Sequence, residues 1–166
     1  RAAPRPRPRD AASARSPHRR CAEQLRNVTE PWQNRGRRAS VLSHLIAHDN
    51  GVTNFHFEIE AEILADSTLA LIRSAREGLF QFEAGVQSAN PQTLRAIRRG
   101  GNVERLLQRA ALLREPGNAH LHMDLIAGLP LEGYESFARS FDTVYRANPH
   151  MLQLGFLKVL HGSVLE

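Results

Sequence analysis

Four polar residues of this 166-residue chain, Glu58, Gln87, Asp124 and Lys158, fall at or near the ends of β-like runs. A carboxylate in such a place can accept two hydrogen bonds from the hydroxyls of a ribose. A glutamine amide can both donate to and accept from a neutral polar ligand. Two glycine-bearing motifs contain or follow these residues: Gly85-Val86-Gln87-Ser88, and Asp124-Leu125-Ile126-Ala127-Gly128-Leu129-Pro130. Glycine lets backbone approach a ligand closely. Each residue also has a plain reading. Glu58 could pair with an arginine, Gln87 and Ser88 could shape a turn, and Asp124 could cap or pair locally. Gly128 could simply turn the chain.

The elements that must position these side chains alternate along the sequence. A run from Asn54 to Glu60 precedes a helix predicted over Ser67 to Arg76, with Asp66 as its N-cap. Leu79 to Gln87 forms a second run. Asn90-Pro91 opens a helix that Gly100-Gly101 stops, and Asn102 caps the next one. That helix places Val103, Leu106, Leu107, Ala110 and Leu113 at helical spacing. Ala119 to Ala127 is the third run. A helix with Phe137, Phe141, Val144 and Tyr145 on one face follows, and Met151 to Lys158 is the fourth run.

Strand–helix–strand repetition implies parallel strands. Buried parallel strands normally read as continuous apolar runs, yet these alternate. Phe80, Phe82, Ala84 and Val86 share one face of the second run, and Gln81, Glu83, Gly85 and Gln87 the other. His120, His122 and Asp124 oppose Leu121, Met123 and Leu125; His56, Glu58 and Glu60 oppose Phe55, Phe57 and Ile59. One face belongs under helices and the other lines a wet lumen. The expected fold is α/β: a partial TIM-like (β/α) barrel, a half barrel of about four parallel strands with helices outside. In such barrels the active site lies at the C-terminal ends of the strands.

The order Phe57-Glu58-Ile59, Gly85-Val86-Gln87-Ser88, Arg98-Arg99 and Asp124-Leu125-Ile126-Ala127-Gly128-Leu129-Pro130 resembles the radical S-adenosylmethionine superfamily. The resemblance covers about residues 41–166 and leans toward the oxygen-independent coproporphyrinogen oxidase-like branch. His120-Leu121-His122-Met123-Asp124 and Leu154-Gly155-Phe156-Leu157-Lys158 resemble its cobalamin-associated relatives. The resemblance implies that Glu58 binds the ribose hydroxyls of S-adenosylmethionine and that Gln87, with Ser88, lines the same pocket. It implies that Arg99 meets the ligand's carboxylate, and that Asp124 binds ribose or the methionyl amino group. Gly128 and Lys158 complete the implied cofactor-binding set. Gly162-Ser163 resembles a Gly-Thr turn near the adenine. A cobalamin-binding domain is expected to precede this segment in the parent gene.

The superfamily also uses three cysteines, spaced C-x3-C-x2-C, to hold a 4Fe–4S cluster. This chain has one cysteine, Cys21. The expectation is therefore a truncated or frame-shifted reading of a longer gene, unable to cleave S-adenosylmethionine. Residues 1–40 carry eleven arginines against Asp10, Glu23 and Glu30, giving 11 − 3 = +8 of the overall +5, so residues 41–166 carry −3. That Arg/Pro-rich tail is expected to be disordered. A nucleic-acid partner is not expected from this pattern and would concern only the tail. With no apolar run long enough for a bilayer and no secretory signal, a cytoplasmic chain with no membrane partner is expected. No protein-held metal is assigned and the small-molecule substrate is not named. Two other classes compete. One is a metal-dependent hydrolase barrel using His56, Glu58, His120, His122 and Asp124. The other is a non-catalytic truncated protein, whose half barrel leaves two sheet edges unpaired.

Overall fold

A computed structural model describes residues 35–159, 161 and 162. The expectations for the Arg/Pro-rich segment before residue 35, for Cys21 and for Ser163 lie outside the described residues. The elements run α1 (Arg35–Ala47), β1 (Phe55–Ile59), a 3-10 turn (Ala61–Ile63), α2 (Asp66–Arg73), β2 (Phe80–Gln87), α3 (Pro91–Ala96), α4 (Val103–Arg114), β3 (Ala119–Ala127), α5 (Tyr134–Arg146) and β4 (Met151–Phe156). The strands form one sheet in the order β1-β2-β3-β4, all neighbours parallel. This is the four-stranded parallel sheet with flanking helices of a partial TIM-like barrel.

The alternation in the sequence becomes alternation in burial. Phe80, Phe82, Ala84 and Val86 are buried, whereas the residues between them are half-buried. Leu121, Met123 and Leu125 are fully buried beside them, and Phe57 joins from β1. The rings of Phe57, Phe80 and Phe82 lie with centroids 5.8–6.0 Å apart, the offset and tilted arrangement that aromatic quadrupoles favour. Each such side chain contributes about 1.5–3 kcal/mol by leaving water. Leu69, Ile72, Leu106, Ala110, Leu113 and Val144 bring α2, α4 and α5 onto this face.

Local sequence sets most boundaries. The Asn90 side chain accepts from the Gln92 N–H at 2.9 Å, and Pro91 occupies the first turn of α3. The Asn102 side chain accepts from the Arg105 N–H at 3.0 Å. Three details differ from the sequence reading. Ala65, not Asp66, caps α2; Asp66 sits in the first turn and pairs with Arg109 of α4. Helix α1 begins at Arg35, inside the segment assigned to the tail. Tyr145 is 65% exposed, stacked on Phe141 rather than buried with Val144. None of the described helices is long and apolar enough to cross a membrane.

Candidate functional site at the strand ends

The sheet's polar face is ordered in rows by its register. His56, Gln81 and His120 stand side by side, then Glu58, Glu83 and His122, then Gly85, Asp124 and Gln153. The third row lies nearest the C-terminal rim. There β2 is irregular between Gly85 and Gln87, and Gln87 takes φ 67°. A left-handed backbone costs a non-glycine residue about 1–3 kcal/mol and gathers at sites where geometry matters.

Gly85 is the point on which three of the sequence-assigned residues converge. A Cβ built on Gly85 would lie 2.6 Å from Gln87 Nε2, 3.4 Å from Arg99 Nη2 and 3.5 Å from Asp124 Oδ1. The Arg99 guanidinium donates to the Gly85 carbonyl, reaching back from the loop that follows α3. Arg98, next to it, is exposed and itself left-handed at φ 55°. The hydrogen atom at Gly85 thus leaves room for an amide, a guanidinium and a carboxylate in one small space.

Asp124 carries the electrostatic signature of this space. Burial pushes its carboxyl above the ordinary range, and the charge of Glu83 acts in the same direction. Arg99, His122 and a hydrogen bond from the Gln87 amide pull it back. Asp124 Oδ1 and Gln87 Oε1 are buried and accept no hydrogen bond. Unmet acceptors in a desolvated place are costly, and a ligand hydroxyl or ammonium donor would relieve both.

The other assigned residues are placed differently. Glu58 lies on the same face, in register with Glu83, and its side chain is exposed. Gly128 follows β3 at φ 88°, where a Cβ would touch Leu157 at 3.8 Å. Lys158 is exposed, beyond the end of β4. Ser88 is fully buried, and its hydroxyl donates to Glu132 at 2.6 Å and lies 3.4 Å from the Ser140 hydroxyl. It also accepts from the Asn90 N–H at 2.9 Å. Ser88 thereby ties the end of β2 to α5.

A second cluster escaped assignment in the sequence. Glu83 Oε2 lies 3.1 Å from His56 Nε2 and 3.7 Å from His122 Nδ1, one row below Asp124. Alternation placed Glu83 on the polar face but offered no partner, because His56 and His122 come from strands 27 and 39 residues away. Nothing in the sequence links Ser88 to Glu132 either.

Among the described residues, no group of three or more His, Cys, Asp or Glu is placed to hold a metal ion. His56, Glu58, His120, His122 and Asp124 form no such group there. The physical reason is strand geometry: residues two apart on a strand are separated by about 6.6 Å, so His120, His122 and Asp124 spread along β3 instead of meeting at one point. His120 instead stacks on His150, centroids 4.9 Å apart, and His150 Nδ1 accepts the Leu121 N–H at 3.0 Å.

Comparison with known proteins gives a consistent picture. No family model matches the chain. It is 35% identical over 77 residues to the oxygen-independent coproporphyrinogen-III oxidase-like protein HemZ of Bacillus subtilis, covering 46% of this chain and 15% of that protein. It is 31% identical over 109 residues to the oxygen-independent coproporphyrinogen III oxidase of Salmonella typhimurium, covering 61% and 23%. It is 29% identical over 134 residues to the heme chaperone HemW of Mycobacterium tuberculosis, covering 78% and 34%. The chain thus spans about a third or less of the curated relatives it matches. Among solved structures, it superimposes on the Escherichia coli coproporphyrinogen III oxidase HemN, a radical SAM enzyme, with TM-score 0.67 and 22% identity. That match covers 82% of this chain and 32% of the other. Streptococcus suis SuiB, also solved with S-adenosylmethionine bound, gives TM-score 0.63 at 11% identity over 89% of this chain and 34% of that one. In the order of its motifs and in its partial barrel the chain resembles the radical S-adenosylmethionine superfamily, and it does so without the cluster-binding cysteine motif.

Proposed function

We propose that residues 41–166 form the adenosyl-binding wall of a radical S-adenosylmethionine barrel. Asp124 and Glu58 would accept from the ribose hydroxyls or the methionyl ammonium, Gln87 would line the pocket, and Arg99 would face the methionyl carboxylate. Gly128 and Lys158 would border it at the rim, and Ser88 would act from behind by fixing the end of β2. The observation that carries this reading is the convergence of Gln87, Arg99 and Asp124 over Gly85, with Asp124 Oδ1 and Gln87 Oε1 both lacking a donor. A planar fork of N–H donors beside a carboxylate and an amide suits a zwitterionic, hydroxyl-rich ligand.

The residues present do not fit an iron–sulfur cluster. Such a cluster needs thiolates, and the sequence holds one cysteine. The chain's own contribution is to bind and orient.

The test is calorimetric titration with S-adenosylhomocysteine, which needs no cluster. The wild-type chain should bind it saturably. Asp124→Ala and Glu58→Ala should each weaken binding, Asp124→Ala by tenfold or more. Unchanged affinity in both variants would remove the pocket assignment. Incubated with S-adenosylmethionine, iron, sulfide and a strong reductant, the chain should release no 5′-deoxyadenosine; robust release would refute the account of the missing thiolates.

A further inference from the structure

The row beneath Gly85 and Asp124 shares Glu58 with the proposed adenosyl site, but its other members, Glu83 and His122, and the neighbouring His56 have no part in that site. Glu83, on the central strand β2, lies between two imidazoles, His56 Nε2 at 3.1 Å and His122 Nδ1 at 3.7 Å. The His122 side chain is more than nine-tenths buried, and its Nε2 has no hydrogen-bond partner. His56 Nε2, although close to Glu83, makes no hydrogen bond of good geometry. Burying unmet polar atoms in this way is costly, so the fold holds groups here that a ligand would satisfy.

Their chemistry selects the ligand. His122 turns its Nδ1 edge toward Glu83 and leaves Nε2 without a partner; with Nδ1 as the edge that carries the hydrogen, Nε2 and the carboxylate are both acceptors. Glu58, in register with Glu83 on the neighbouring strand, adds a third, and Asp124 a fourth one row above. Against these carboxylates stands the guanidinium of Arg99, already donating to the Gly85 carbonyl. Acceptors with negative charge and few donors attract a cation that brings its own N–H groups. They repel a ligand carrying several carboxylates.

We propose that Glu83, His56 and His122 form a receptor for an amine or guanidinium group, so that the substrate placed against this wall carries a basic nitrogen and is not a polycarboxylate. The position of that group beside an adenosyl ligand rests on the function proposed above; the receptor itself rests only on the Glu83 row.

The experiment uses the full chain with carbon-13-labelled histidine and the probes agmatine and glutarate. Agmatine should bind saturably and shift the ring signals of His56 and His122, assigned by His56→Gln and His122→Gln. Glutarate should shift neither. Glu83→Gln should weaken agmatine at least tenfold, and Glu83→Asp should restore part of the loss. Absence of a saturable agmatine shift in the wild-type chain, or preference for glutarate, would overturn the proposal even if every variant failed to fold. Equal agmatine affinity in a folded Glu83→Gln chain would overturn it as well. S-adenosylhomocysteine titrated into the same wild-type sample separates the two ideas. Binding of it without agmatine sinks the receptor alone, and binding of agmatine without it sinks the adenosyl reading alone.

Discussion

Replacing Gly85 with alanine should separate binding from stability. The new methyl would stand 2.6 Å from Gln87 Nε2, well inside contact distance, and 3.4–3.5 Å from Arg99 Nη2 and Asp124 Oδ1. The Gln87 amide is the tip of a flexible side chain, so it swings away and little backbone need move. Overpacking of this mild kind costs about 1 kcal/mol. Alanine also narrows the unfolded ensemble relative to glycine, which returns about 0.4–1 kcal/mol. The two nearly cancel, so the melting temperature should shift by only a few degrees. Ligand binding should suffer much more. The displaced amide no longer lines the pocket, and the methyl crowds the approach to Asp124. Loss of one hydrogen bond to a charged group is worth about 1.5–3 kcal/mol, or roughly ten- to a hundredfold in affinity. Thermal denaturation followed by circular dichroism and S-adenosylhomocysteine calorimetry would measure the two effects on one sample. A folded Gly85→Ala chain that binds as tightly as wild type would refute the claim that ligand and side chains meet over this glycine.

Two further outcomes follow from the same geometry. Ser88→Ala removes the hydroxyl that joins Glu132, Ser140 and the Asn90 N–H, leaving the Glu132 carboxylate to the Ser140 and Ser136 hydroxyls and the Asn90 N–H without its acceptor. It should cost about 1–3 kcal/mol in urea denaturation; a loss under 0.5 kcal/mol would show that the node is slack. Burial holds the His120 and His150 imidazoles below their ordinary pKa of 6.5, so the unfolded chain takes up protons that the native chain refuses. Stability should be full above that value and fall as pH drops below it. Asp124, whose carboxyl is raised from 3.8, works in the opposite sense, releasing its proton on unfolding. Replacing His120 with Gln isolates the histidine part: the fall in urea midpoint from pH 7.5 to pH 5.5 should be smaller than in the wild-type chain, and an equal fall would contradict the histidine assignment.

Much of this architecture was written in local sequence. Period-two alternation at Phe80–Gln87 names both the buried and the lumen-facing residues of β2, because each side chain on a strand has one face to choose. Asn90-Pro91 and Asn102 mark helix starts through hydrogen bonds within three residues. The Asp66 cap was misread because a carboxylate near a helix start serves equally in the first turn, where Arg109 claims it. The site was legible in part. Gln87, Arg99 and Asp124 lie together over Gly85, whereas Ser88 turns toward α5 and Glu83 gains its histidines. Those last pairings join residues 27 to 52 positions apart, and only the packing of β1, β3 and α5 around β2 creates them.

Crystals of the wild-type chain grown with S-adenosylhomocysteine would test the central claim most directly. The ligand should lie at the C-terminal rim of β2 and β3, with a ribose hydroxyl or the amino group within hydrogen-bond distance of Asp124 Oδ1. Ligand bound at the N-terminal ends of the strands, or on the helical face with Asp124 Oδ1 still unpartnered, would contradict the account.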